Sequence, residues 1–487
     1  MRRLTSLAAA VLLASGCSMI PEYQAPEAPV AGAVGASQVA GDKVNLPGWR
    51  ALFPDPQLQS LVETALANNR DLRVALLNVA EARALYRIEG SGLYPDLSVG
   101  ASGTRQRVPG DLSGTGQAET GGRYDVQFGL ASYELDLFGR VRSLEAAALE
   151  SYLASEEISR AAHITLVAEV ANAYLTLMAD HEKLRISEQA EADQQRAVVL
   201  VRNRYRNGLS TELSVRQAEI ALETARAYRA QNARLVALDR NALSVLVGAP
   251  LPLLIARQLD DPSITSLAAV PDGLPSTVLT QRPDVRAAEH RLRAADANIG
   301  AARAAFFPRI ALTAGAGTAS SDLSGLFEGG SGAWSFSPSI SLPIFTGGRN
   351  QANLEVAEVR RDRNVAQYEQ VVQTAFQEVA DALAARQYLV DQERAQDALV
   401  TATERSLELA EARFSEGVDD YLAVLDARRA LLDARQERVS VTRQKLANRV
   451  QLYRALGGGA SADEETLLSQ ESERRSEAEA ETTAPLG

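Results

Sequence analysis

The chain has 487 residues, 46% of them hydrophobic and 23% charged, and carries a formal net charge of −12. That apolar content excludes a disordered chain, and an acidic balance with no basic face excludes a nucleic-acid binder. Past position 20 there is no run of eighteen consecutive apolar residues, so the pattern predicts no transmembrane helix.

The chain opens with "MRRLTSLAAAVLLASGC". A charged start, a short apolar run and small residues are the marks of an export signal, so residues 1–16 are set apart from the fold. Cys17 is the only cysteine, which rules out an internal disulfide. The "ASGC" stretch resembles a bacterial lipobox, although Ala14 stands where leucine is usual and Leu13 lies one place further back. The resemblance implies cleavage before Cys17 and its acylation by diacylglycerol and an N-acyl chain. Ser18 rather than the retention signal Asp follows, which implies the outer membrane. Residues 17–56 are expected to form an extended N-terminal segment.

From about Asp55 to Leu93 the pattern has a helical period. A hairpin is expected over 96–138. Leu97, Val99 and Ala101 share one face of its first strand, and Tyr124, Val126, Phe128 and Leu130 share one face of its second. There the phase slips to Tyr133, Leu135 and Leu137, the sign of a bulge. From Arg140 to Arg206 the chain has neither proline nor glycine, which predicts a helix of roughly 100 Å. Gly208 then fits a left-handed helix stop, and a shorter helix runs to about Gly248. The stretch 250–275 reads as a proline-rich linker.

The pattern then returns. Val170 and Val379, Gly208 and Gly417, and Gly248 and Gly457 all stand 209 residues apart. The chain is therefore expected to be a tandem repeat, 57–249 and 276–457, followed by a disordered tail over 458–487. The second hairpin is expected over 309–345, where "AWSFSPSISLPIF" alternates apolar residues with serine. The second long run, Arg349 to Glu416, places Val365, Tyr368, Val372, Phe376, Val379 and Leu383 on a coiled-coil seam.

Four amphipathic strands cannot close a barrel, and lipid tolerates no open edge. Three chains give twelve strands and a lumen. On this reading Trp334, Phe336, Ile340 and Leu342 face lipid and the serines face water. A soluble sandwich hairpin is the other reading of the same alternation. Pro338 suits an edge or a bend.

"FPDPQLQSLVETALANNRDLRVA", "QRPDVRAAEHRLRAADANIGAARAAFFP" and "SLPIFTGGRNQANL" resemble signature stretches of the outer-membrane factor family, the TolC-like exit ducts of tripartite efflux systems. The acylated cysteine and "QRPDV" are similar to its OprM-like lipoprotein branch. The resemblance implies an α+β fold in which a trimeric twelve-stranded transmembrane barrel, four strands per chain, continues into a long periplasmic α-helical coiled-coil barrel. It further implies a homotrimer in outer-membrane lipid, working with a periplasmic adaptor and an inner-membrane proton-driven RND-type pump to release drugs and other small amphiphiles. In that branch the residues matching Leu422 and Asp426 ring the closed periplasmic entrance. Ser214 stands where members often carry Asp, and Gln217 corresponds to Asp426 in the first half.

By position, Gly208 and Gly417 mark the tip where an adaptor docks. Arg204 and Arg413, one helical turn back, are expected to bind its carboxylates or carbonyls. No catalytic or cofactor chemistry is visible. His163, His181 and His290 are scattered, and the Gly-rich "GLFEGGSGAW" lacks the lysine of a phosphate loop. A type I protein-secretion duct and a pore-less structural coiled-coil lipoprotein are the competing readings.

Overall fold

The computed structural model describes residues 18–26, 29–30, 33–34, 48–251 and 274–458. Cys17, the signal, most of the linker and all but the first residue of the tail lie outside these. The elements in chain order are β1 (Ala33–Val34), α1 (Trp49–Leu52), α2 (Pro56–Asn68), α3 (Arg70–Ser91), β2 (Leu97–Val108), β3 (Glu119–Leu135), α4 (Arg140–Arg206) and α5 (Glu212–Val247). Then follow β4 (Leu274–Pro275), α6 (Pro283–Ala304), β5 (Arg309–Ser320), β6 (Gly332–Ser341), α7 (Arg349–Ser415) and α8 (Tyr421–Ala455). The chain divides into two compact units. One holds the residues up to Glu27, Leu77–Glu156 and Ala287–Glu369, and the other holds the rest.

The first unit is built on one antiparallel sheet of order β2-β3-β5-β6. Leu130 of β3 lies opposite Ala314, but Tyr133 lies opposite Leu312, so two residues of β3 face one of β5. Ser132 takes the strained place in this bulge with φ 56°, and its N–H donates to Thr313 Oγ1 at 3.2 Å. The bulge keeps Tyr133 and Leu135 on the face that Leu130 began.

The second unit is helical. Its core gathers Trp49, Phe53, Leu61, Tyr174, Leu177, Leu243, Leu446 and Val450, all buried. The motif stretches have structural work there. Asp55 caps α2 by accepting from the Gln57 N–H at 2.9 Å, and the Tyr174 hydroxyl donates to its other oxygen at 2.7 Å. Asn69 caps α3 through the Leu72 N–H and donates to the Leu246 carbonyl, each at 2.9 Å. In the second repeat Arg282 makes the matching bond, donating to the Ala455 carbonyl at 2.6 Å. Leu246 and Ala455 stand 209 residues apart. The duplication has thus kept a bond while changing the side chain that makes it.

One expectation needs correction. The deepest residues of the α7 seam are Tyr368, Val372, Ala375, Val379 and Ala382, while Phe376 and Leu383 are only half-buried. Alanines take the centre because helices approach closest over small side chains. Also, α4 does contain an 18-residue stretch of mean hydropathy 1.2, apolar and long enough to cross a bilayer, and 56% of it is buried within the protein. Its apolarity serves packing.

One buried contact departs from apolar packing. Asp180 on α4 lies against Asp239 on α5, and burial together with the Asp180 carboxyl raises the Asp239 carboxyl to about 6. A raised acid favours the fold only while it holds its proton, so this contribution is lost as pH rises from about 4 through about 6. The second repeat has Asn448 at the equivalent place, donating to the Ala382 carbonyl at 2.9 Å. Asp239→Asn is expected to melt higher than the parent at pH 7.5 and nearly level with it at pH 4.5. An equal gap at both pH values contradicts the carboxylate pair.

Candidate functional site

Residues directly opposite in antiparallel strands share a face. Ile340, Pro338, Phe336 and Trp334 of β6 lie opposite Ile310, Leu312, Ala314 and Ala316 of β5. Those in turn meet Leu135, Tyr133, Leu130 and Phe128 of β3. Leu130 and Phe128 then meet Leu97 and Val99 of β2. One face is therefore apolar across all four strands, and Trp334 on it is 81% exposed. The opposite face carries Ser335, Ser337 and Ser339 against Gly315, Thr313 and Ala311. Leu342 is exposed too but lies one residue beyond β6.

β2 and β6 are the sheet's open edges. The Ala319 N–H donates to the Ser331 carbonyl at 2.8 Å, which makes that a hydrogen-bonded pair. By alternation the Leu312–Pro338 pair is non-bonded. Pro338 therefore costs no bond to β5, and its nitrogen faces the open edge.

At the far end of the long helices the two turns are alike. The Leu209 N–H donates to the Arg204 carbonyl at 2.8 Å, and the Val418 N–H to the Arg413 carbonyl at 2.9 Å. Gly208 and Gly417 both have φ 74°, the left-handed residue that closes such a helix stop. Leu209 and Val418 beyond them are largely exposed. A side chain at either glycine would meet no atom within 4 Å, so only the backbone angle resists substitution.

The arginines are less free than their positions suggest. The Arg413 guanidinium grips Asp419 across its own turn, with contacts of 2.5 and 2.9 Å, and holds that carboxyl below its usual range. Arg204 lies over the Phe414 ring at 4.6 Å, tying the first repeat's turn to the second's. Each guanidinium thus already has one neighbour within the chain, Asp419 for Arg413 and the Phe414 ring for Arg204. What the turns offer is backbone, exposed apolar side chains and the open half of each arginine.

Just past the second turn Asp420 caps α8 by accepting from the Leu422 and Ala423 N–H groups at 3.1 and 3.4 Å. Leu422 and Asp426 follow on one face, both exposed. Among the described residues the cation nearest Asp426 is Arg429, at 3.9 Å. Behind that face Tyr421, Val424 and Leu425 pack with Val198, Val201 and Val215 of the first repeat.

One residue that matters here escapes sequence reasoning. Arg428, mostly buried, donates to Glu411 of α7 at 2.6 Å and to the Asp193 carbonyl of α4 at 3.3 Å. It bridges the two repeats directly behind Asp426. Further up, Glu404, Asp397 and Glu393 of α7 pair with Arg435, Arg438 and Lys445 of α8. That acid-to-base ladder, falling on α7 as it rises on α8, is a signal that could have placed Arg428 opposite Glu411.

Known proteins share this arrangement. The profile of the family described as outer membrane efflux protein matches residues 61–249 and 274–458. The chain is 48% identical over 464 residues to the antibiotic efflux pump outer membrane protein ArpC of Pseudomonas putida, covering 94% of this chain and 96% of that protein. It is 47% identical over 464 residues to the toluene efflux pump outer membrane protein TtgC, also of Pseudomonas putida, with the same coverage of 94% and 96%. Its fold is similar to the open state of the Neisseria gonorrhoeae MtrE outer membrane channel, with a TM-score of 0.82, 40% identity, and coverage of 91% of this chain and 98% of that one. With the greased sheet and the paired helix turns, these likenesses establish that the chain belongs to the outer membrane efflux protein family and is an outer-membrane efflux channel.

Proposed function

We propose that the chain is one third of a passive exit duct, anchored by acylated Cys17, that releases drugs and other small amphiphiles. They would be handed on by a periplasmic adaptor from an inner-membrane proton-driven RND-type transporter. The observation that carries this is the four-stranded sheet with one apolar face, one polar face and two open edges. In lipid an edge must be paired, so β6 of one copy meets β2 of the next, and three copies close the wall. Trp334, Phe336, Ile340 and Leu342 then contact lipid, and the serines line water. Leu77, Leu85 and Ile88 on α3, each more than half exposed in the single chain, gain a neighbour to cover them. Nothing in this reading requires a reaction or a cofactor: the duct lowers a barrier to passage and breaks no bond.

The names of ArpC and TtgC support antibiotics and aromatic solvents as the kind of cargo. At the tip, three Leu422 side chains form a dewetting constriction and three Asp426 carboxylates a cation-attracting ring. Arg428 holds the second repeat's helices against α4 and so keeps that ring closed.

Native mass measurement in detergent tests the assembly and the anchor together. The expected species is a trimer, each protomer heavier than residues 17–487 by its acyl groups. Cys17→Ser is expected to stay trimeric and lose the added mass. A stable monomer or dimer with full sheet content contradicts closure, and an unchanged mass in the serine variant contradicts acylation.

A further inference from the structure

In the first unit α6 lies between α4 and α7. His290 meets Glu150 of α4 at 2.6 Å, and Asp296 meets Arg361 of α7 at 3.5 Å. Two faces of α6 are left. One seats the segment that follows Cys17. Arg293 lies over the Tyr23 ring at 4.7 Å, and the Tyr23 hydroxyl donates to Glu289 at 3.1 Å. Ile20 sits so close to Gly300 that a Cβ there would meet its Cγ1 at 2.7 Å. The other face belongs to a groove of ≈ 580 Å³ lined by Arg291, Asn298, Ala294 and Ala301 of α6 and by Arg360 and Arg363 of α7. Residues two apart on a helix point about 200° apart, so Arg291 and Asn298 lie opposite Arg293 and Gly300.

Charge in the groove has one sign. No acidic side chain lines it. Arg291, Arg360 and Arg363 are exposed, and among the described residues no carboxylate pairs with any of them. This cluster stands out in a chain of net charge −12. Only Ser18 and Met19 separate Ile20 from Cys17, so with Cys17 as the lipid anchor the α6 face that seats this segment belongs to the outside of the duct and the groove face to its interior.

We propose that Arg291, Arg360 and Arg363 form an anion-binding belt inside the duct, three arginines from each protomer. It would receive small anionic amphiphiles, the guanidinium groups taking a carboxylate or sulfonate and the alanine floor taking the apolar body. This rests on the duct reading and on Cys17 as the anchor. The belt gives the periplasmic part of the duct a positive field upstream of the serine-lined barrel, opposite in sign to the Asp426 ring, and so sets which ions the open duct prefers.

The test uses the full-length trimer in planar bilayers with the tip opened by Leu422→Ala and Asp426→Ala. Zero-current potentials are read across gradients of potassium chloride and potassium benzenesulfonate. The open duct is expected to prefer anions, and adding Arg291→Gln, Arg360→Gln and Arg363→Gln is expected to lower the anion-to-cation permeability ratio several-fold. An unchanged ratio overturns the belt. Arg360→Cys, treated with a negatively charged thiol reagent, is expected to lower the ratio in the same direction. Complete modification without any change in current puts the groove outside the duct and also overturns it. A tip-opened trimer that carries no current at all instead overturns the duct reading itself.

Discussion

Arg428→Glu is expected to open the closed duct. Arg428 is mostly buried, donates to Glu411 and reaches back to the Asp193 carbonyl and Gln194 of α4. A carboxylate in its place faces Glu411 and a carbonyl oxygen, so attraction becomes repulsion at the contact that joins the repeats. With Glu411 nearly half exposed, loss of this charge-assisted contact costs about 1 kcal/mol. That shifts the open population roughly fivefold per protomer if the contact exists only in the closed state. The trimer remains, because the sheet and the core around Trp49 and Tyr174 are untouched. Single-channel conductance should rise well above the parent's, and adding Glu411→Arg should bring much of it back down. If Arg428→Glu conducts at the parent level, the bridge does not hold the tip closed.

Gly417→Val is expected to abolish resistance to exported compounds while leaving assembly intact. At φ 74° a β-branched residue is disfavoured by roughly 1–2 kcal/mol. Nothing within 4 Å would clash with the new side chain inside the chain itself. The cost is therefore too small to unfold the protein, and the damage falls on the exposed turn and on whatever docks there. Gly417→Asn separates the two causes, since asparagine tolerates the left-handed angle. Loss of export in both variants, with a trimer still present in the outer membrane, supports close approach by a partner. Retention in both removes the turn from the docking surface.

What can be read in the residues alone, and what cannot, follows from the range of the interactions. The sheet is legible because its signal is local. Alternation assigns Trp334, Phe336 and Ile340 to one face, and the slip after Leu130 marks the bulge at Ser132. The long helices are legible because absence of proline and glycine is a strong cue, as in α4 over Arg140–Arg206. On α7 the hydrophobic pattern points to Phe376 and Leu383, since pattern favours large residues. Close helix packing instead favours Ala375 and Ala382. The bond from Arg413 to Asp419 is not legible, because it turns a corner that helical spacing cannot foresee. Arg428 falls in register with the acid-to-base ladder of α7 and α8 through Glu411, but its α4 partner, 235 residues away, leaves no local sign. Of the candidate site, then, the turns and the faces are visible, and the contacts that hold them are not.

On the proposed function, Leu422 and Asp426 close a duct whose wall is shared by three chains. Both side chains are exposed in the single chain, and Asp426 has only a distant Arg429 for company among the described residues, as expected of residues that face their own copies across an axis. Single-channel conductance of the purified trimer in planar bilayers, compared between the parent and the Leu422→Ala, Asp426→Ala variant, tests this most directly. Conductance is expected to be low for the parent and to rise severalfold for the variant. Equal conductance in the two, at the closed level, would contradict it.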